Sequence, residues 1–200
     1  MSPKIVDKKE KRKEILEAAL AIYEHKSIEK TNIETIAKAA GMSKGNFYEY
    51  FENKADLING ITMMAMQMFE STFYAHYIRL TTPVDKLRYV VVGSIDEQFF
   101  EGGFLRVWME FLRLAMVEKH PDTLMYLNDN YKQFEIMVAG ILQEGIELGE
   151  FEVSEVENLS SAIVAQIDAL YLQCLLRSEI RPIHKIAHTF VNTILKGIQK

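Results

Sequence analysis

The 200-residue chain has little that would staple or interrupt a fold: one cysteine, four prolines and ten glycines. Cys174 alone excludes an internal disulfide and a cysteine-based metal cluster, and fits a reducing compartment. No apolar run approaches the roughly 20 residues that a membrane-spanning helix requires. The opening MSPKIVDKKEKRKE has no apolar core of the kind a secretory signal carries, so the expected location is the cytoplasm. Few prolines and no low-complexity stretch argue against long disordered linkers. Sustained β alternation is missing, and no repeat of about 20–50 residues is visible.

Chemistry is sparse as well. The sequence has no paired acid and base, no nucleophile motif and no phosphate-cradling glycine loop, so no enzyme activity and no cofactor are expected. His184 and His188 stand four apart on one helical face, but no carboxylate lies between them and no cysteine is near; no metal site is expected. Cys174 has no basic neighbour within its apolar run to make it a thiolate.

What the chain does have is hydrophobic residues, 48% of the total, enough for a substantial core. They recur at spacings of three and four, which predicts an all-α fold of nine helices. The first is expected over Asp7–His25, with Ile15, Leu16, Ala19, Leu20 and Tyr23 as its apolar stripe. Two short helices follow between Thr31 and Lys54. A long fourth, capped by Asn53, is expected to reach about Arg79. Thr82-Pro83 opens a fifth running to about Phe100, where Gly102-Gly103 breaks it. A sixth spans Phe104–Glu118, and a seventh spans Asp122–Leu148, stopped by Gly149. Ser154 and Glu157 form a capping box for an eighth, reaching about Ser178, and Pro182 starts the ninth.

Thr31–Lys54, TNIETIAKAAGMSKGNFYEYFENK, organises the rest. Thr31 and Glu34 read as a capping box, and Ile33, Ile36, Ala37 and Ala40 give one apolar face. Gly41 stands where a helix-ending residue enters the left-handed region. Ser43 caps the next helix, whose Phe47 and Phe51 point inward while Lys44, Gly45, Asn46, Tyr48 and Tyr50 remain polar, small or aromatic. This is the layout of a helix-turn-helix, whose second helix lies in the DNA major groove. Net charge is −5 overall, yet residues 1–54 carry 11 Lys/Arg against 9 Asp/Glu, and the remainder 12 against 19. A basic head on an acidic body lets one end approach phosphate. The head's charge gathers in Lys8, Lys9, Lys11, Arg12 and Lys13, then Lys44 and Lys54.

The run over residues 11–58 resembles the DNA-binding head of the TetR family of transcriptional regulators. IL-x-AA, T-x-x-x-IA-x-x-AG, SKG-x-x-Y-x-YF and a closing NK occur in order. Ser27 departs from the glycine usual before the second helix, and Asn46-Phe47 from the usual aliphatic pair. The resemblance implies a three-helix head over 1–53 and a six-helix ligand-binding and dimerisation domain over 54–200. It implies a DNA-binding, ligand-responsive homodimer, most simply a repressor on a palindromic operator. The partners are double-stranded DNA, a second copy and a small, largely hydrophobic ligand. Two alternatives stay open: a regulator without a small ligand, and a helical carrier or enzyme with a vestigial head.

Within that frame Lys44 and Asn46 are the expected base readers, since lysine suits guanine and asparagine adenine. Gly45 permits close approach, and Tyr50 is a further candidate. Tyr48, Lys54 and Thr31 are the expected backbone contacts. For the ligand the candidates are Met66, Phe104, Trp108, Tyr131 and Phe134, in a body rich in methionine and aromatics. Gln166 and Asp168 interrupt an apolar run as pocket groups, dimer contacts or exposed residues. The apolar faces Ile163, Ile167, Leu170, Cys174 and Ala187, Phe190, Val191, Ile194 form the expected dimer interface.

Overall fold

The computed structural model describes residues 7–95, 102–176 and 182–200; the side chains of 102–104 and 174–176 fall outside that description. The elements are α1 (Lys8–Tyr23), α2 (Ile33–Ala39), α3 (Lys44–Phe47), α4 (Lys54–Tyr77), α5 (Pro83–Gly93), α6 (Gly102–Met116), α7 (Pro121–Glu147), α8 (Val156–Leu176) and α9 (Ile183–Ile198). Among the described residues all regular structure is helical, apart from one isolated bridge between Phe151 and Gln199. The expected all-α fold is the observed one.

Local rules explain most boundaries. Asp7 caps α1 by accepting from Lys9 N at 2.9 Å, and Ser43 Oγ accepts from Asn46 N at 3.2 Å. Asn53 Oδ1 accepts from Asp56 N at 2.9 Å, and Thr82 Oγ1 from Asp85 N at 3.1 Å. Gly41 and Gly149 take positive φ, 68° and 73°, just past the ends of α2 and α7.

Four boundaries differ from expectation, the first being the end of α5, which stops at Gly93 and not near Phe100. The cap of α2 is Asn32, whose Oδ1 accepts from Thr35 N at 2.9 Å, while the Thr31 hydroxyl donates to Ser27 O at 2.8 Å. Two cap-capable residues are adjacent, and the turn takes the first for itself. Gly102 and Gly103 lie inside the first turn of α6 instead of between helices. At the start of α8, Leu159 N donates to Glu155 O, so the helix begins one residue later than a Ser154 cap would place it.

The chain forms two compact units: Met1–Met68 with Gln98–Leu124, and Phe69–Glu97 with Met125–Lys200. Helix α4 contributes residues to both. In the first unit α1 packs on α2 and α6, and α2 on α3. Ile15, Ala19, Tyr23, Ile36, Phe47, Phe51, Leu57, Ile61, Val107 and Phe111 form its buried core. In the second unit α5 packs chiefly against α9, around Leu87, Val90, Val138, Ile141, Leu142, Ala187 and Val191. There the chain end is pinned by Glu152 N to Ile198 O at 2.7 Å and Lys200 N to Glu150 O at 3.2 Å.

Candidate nucleic-acid interface

The short helix α3 is a single capped turn. Beyond it the backbone tightens: Tyr48, Glu49 and Tyr50 each donate three residues back, at 3.2, 3.2 and 3.0 Å. Phe47 and Phe51 are buried and stacked, with ring centroids 5.3 Å apart. That anchoring leaves the other face outward. Lys44, Gly45, Asn46 and Tyr48 are exposed, and Tyr50 is half-buried. Tyr48 rests its ring edge-on against Phe47 at 5.7 Å and keeps 49% of its surface in solvent. An amphipathic ring with one face packed and the hydroxyl in water suits a phosphate contact.

Beside this face runs a groove of about 390 Å³, lined by Glu29, Thr31, Asn32, Ile33, Glu34, Lys44, Tyr48 and Lys54. Lys38 lies 2.8 Å from Glu34; their hydrogen bond holds that carboxyl below its ordinary value, and Lys44 adds to the effect. Thr31 is 4% exposed. Its hydroxyl is engaged with Ser27 O, and its N–H donates to Ile28 O at 3.2 Å. Lys54 reaches the groove too, but its ammonium donates to the carbonyls of Ile28 and Thr31. Burial pulls its pKa down from the ordinary lysine value, with Glu110 and Glu29 acting the other way.

The basic cluster of α1 is largely engaged within the unit. Lys11 donates to Glu14 and, at 3.0 Å, to Ala40 O. Arg12 pairs with Asp56 at 3.3 Å and stands 4.4 Å over the Phe51 ring. Lys13 lies 3.7 Å from Glu17. Lys8 and Lys9 are exposed. Sequence reading missed Asn32 as the cap and Arg106 as a brace. Arg106 Nη1 donates to Tyr23 O at 2.6 Å and Glu24 O at 2.7 Å, closing the end of α1. No local signal marks Arg106, because its partners lie more than 80 residues away.

The model of bacterial regulatory proteins of the tetR family matches residues 15–61, the segment that builds this surface. The HTH-type transcriptional regulator BetI of Stenotrophomonas maltophilia is 26% identical over 120 residues, covering 60% of this chain and 61% of that one. Residues 15–61 are therefore similar to the DNA-binding head of that family.

Two solved structures show the same fold over nearly the whole length. A transcriptional regulator from Saccharomonospora viridis, in complex with choline, has 19% identity and a TM-score of 0.77, covering 96% of this chain and 99% of that one. The regulator FadR from Bacillus subtilis, in complex with stearoyl-CoA, has 21% identity and a TM-score of 0.72, covering 94% and 99%. At this level of identity the likeness is one of fold.

The remaining candidate residues fall in both units. Met66 and Trp108 belong to the first unit, Tyr131 and Phe134 to the second, and all four are half-buried. The Phe104 side chain lies outside the described residues. Phe134 joins an aromatic group around buried Phe73, at 6.3 Å, with Tyr89 at 4.9 Å from Phe73. Tyr131 bonds Asp168, which is exposed on α8; burial raises the phenol above its ordinary value, and the carboxylate adds to the effect.

The dimer candidates divide by burial. Ile163, Ile167, Leu170, Ala187 and Val191 each keep 4% or less of their surface exposed within the single chain, so they pack inside it. Phe190 and Ile194 are half-buried, and the Cys174 side chain lies outside the described residues. Outward on α8 stand Ala162, Ala165 and Leu172, and on α9 His188, Thr189, Asn192 and Thr193. Among the described residues no group of His, Cys, Asp and Glu is set to hold a metal. No helix there is long and apolar enough to cross a membrane.

Proposed function

We propose that the protein is a ligand-responsive repressor, a homodimer that sets its two α3 helices into the major groove of a palindromic operator. One observation carries the reading: Lys44, Gly45, Asn46 and Tyr48 are exposed on a helix whose opposite face is locked by buried Phe47 and Phe51. Lys44 and Asn46 read base edges. Gly45 keeps the helix start slim: a Cβ there would meet only Ser43 Oγ, at 3.8 Å, so the chain itself does not require glycine. Tyr48 donates to a phosphate, and Tyr50 supports the same strand. Residues 1–53 serve DNA, and 54–200 serve ligand and dimer.

The ligand is a small, largely hydrophobic molecule. Neighbours of the same fold hold choline and stearoyl-CoA. Tyr131, bonded to Asp168, and Phe134, whose ring lies 6.3 Å from that of Phe73, supply the apolar and polar groups that make up a ligand site. Met66 and Trp108 are further candidates within the first unit. The outward faces of α8 and α9, with Phe190 and Ile194 at their edge, meet the second copy. Catalysis has no part in this reading.

The test is selection of duplexes from a randomised library by the full-length chain. Enrichment of an inverted repeat is expected, with affinity falling steeply as salt rises. Lys44→Ala or Asn46→Ala should relax choice at one position per half-site by roughly 1–3 kcal/mol. An equal loss across all sequences would reduce that residue to a backbone contact. Choline and stearoyl-CoA titrated onto the complex test release, which requires the ligand to favour the DNA-free state. A chain that enriches no duplex sinks the proposal.

A further inference from the structure

Lys54 lines the groove as a phosphate-binding lysine would, yet two of its three N–H donors are taken inside the chain. Its Nζ donates to Ile28 O and, at 2.8 Å, to Thr31 O. These carbonyls belong to the turn between α1 and α2, which is otherwise closed on itself. Thr31 N donates to Ile28 O at 3.2 Å, Lys30 N to Ser27 Oγ at 3.2 Å, and Thr31 Oγ1 to Ser27 O at 2.8 Å. The side chain of Ile28 is 7% exposed, fixing the turn from below. The same stretch continues into Asn32, Ile33 and Glu34, the wall opposite Lys44 and Tyr48.

We infer that Lys54 is a positioning residue for DNA binding, pinning the Ile28–Thr31 turn to the start of α4 and thereby setting the groove wall, without touching phosphate itself. The inference rests on the DNA-binding reading above. Three observations converge on it. The ammonium's partners are fixed carbonyls 23 and 26 residues away. Its withdrawal from water, which lowers its pKa, is what a structural cation would show. Finally, Asn32, next to the pinned carbonyl of Thr31, caps α2, and α2 packs on α3. A turn set free would therefore disturb the spacing between the wall and Tyr48. An ammonium bonded to two carbonyls neutralises no phosphate and so releases no counterion from the DNA, and its removal should leave the salt dependence of binding intact.

The experiment uses the full chain and a duplex that the wild-type chain selects from a randomised library. Binding is measured across salt concentrations for wild type, Lys54→Met and Lys54→Arg, with hydrogen exchange of the DNA-free proteins. For Lys54→Met the expected result is affinity at least tenfold weaker at every salt concentration, with the slope of log K against log salt unchanged. The Thr31 and Thr35 amides should exchange faster without DNA, while amides of the second unit stay as they were. Lys54→Arg, which keeps a cationic donor, should recover most of the affinity. A slope shallower by about 0.9, with exchange unaltered, would make Lys54 a direct phosphate contact and overturn the inference. Unchanged affinity in Lys54→Met overturns it as well, and so does faster exchange throughout both units, which marks a general loss of stability. Failure of the wild-type chain to select any duplex is read separately and defeats the DNA-binding proposal itself.

Discussion

Helices end differently in the two units, and the difference separates the charges that build this molecule from those that serve its function. Every helix end leaves carbonyls without a partner. In the first unit cations supply much of the answer. Arg106 closes α1 at Tyr23 and Glu24, Lys11 reaches Ala40 at the end of α2, and Lys54 holds the turn between them. In the second unit the end of α7 uses backbone alone. Gly149 turns left-handed, and Glu150 N and Phe151 N both return to Gly145 O, at 2.9 and 3.0 Å. A cation facing a carbonyl tolerates small displacements. A glycine against a ring does not.

The largest effect should come from the rigid end. A Cβ added at Gly145 would stand 2.1 Å from Phe151 Cδ2, and that ring is buried. Gly145 lies inside α7 and Phe151 is tied to it by its own N–H at 3.0 Å, so neither can retreat cheaply. Gly145→Ala should cost about 3 kcal/mol of unfolding free energy, at the upper end of ordinary overpacking. Urea denaturation measures it. A loss under roughly 1 kcal/mol would show that the ring swings aside, and the supposed rigidity would be gone.

This contrast also explains how far the sequence could be read. Ser43, Asn53, Thr82-Pro83, Gly41 and Gly149 announce themselves because a cap depends on residues within one turn. Thr31 and Asn32 mark where local reading stops, since either can cap and only the turn's own hydrogen bonds decide. The head's surface residues Lys44, Asn46 and Tyr48 were legible from their place opposite Phe47 and Phe51. Lys11, Arg12 and Lys54 were not distinguishable from them, because their partners lie 29, 44 and 23 or more residues away. Periodicity likewise finds the apolar stripe Ile163, Ile167 and Leu170. It cannot say whether the covering surface is the same chain or another copy.

A smaller effect sharpens the cationic side of the comparison. Arg106→Met keeps much of the aliphatic stem and removes two donors from the end of α1. The site is solvent-accessible, so the cost should be about 1 kcal/mol, less than buried charged hydrogen bonds give. High salt should narrow the difference between variant and wild type, since the interaction is with partial charges at a helix end. Thermal melts at low and high salt report both. A cost equal to that of Gly145→Ala would mean that this brace is as unforgiving as the packed end.

The smallest effect concerns a third kind of ending. Beyond α6, Lys119 takes φ 52°, the left-handed region that Gly41 and Gly149 occupy elsewhere, while His120 N donates to Leu114 O at 3.0 Å. An L-residue there costs roughly 1–2 kcal/mol relative to glycine. Glycine in turn gives up about 0.5–1 kcal/mol through the greater freedom of the unfolded chain. Lys119→Gly should thus raise stability by about 0.5 kcal/mol, read as a higher urea midpoint with unchanged slope. Lys119→Ala, which keeps the backbone cost and removes only the charge, should leave the midpoint where it is. If alanine and glycine shift it equally, the lysine side chain decides the turn, and α6 joins the helices whose ends are held by charge.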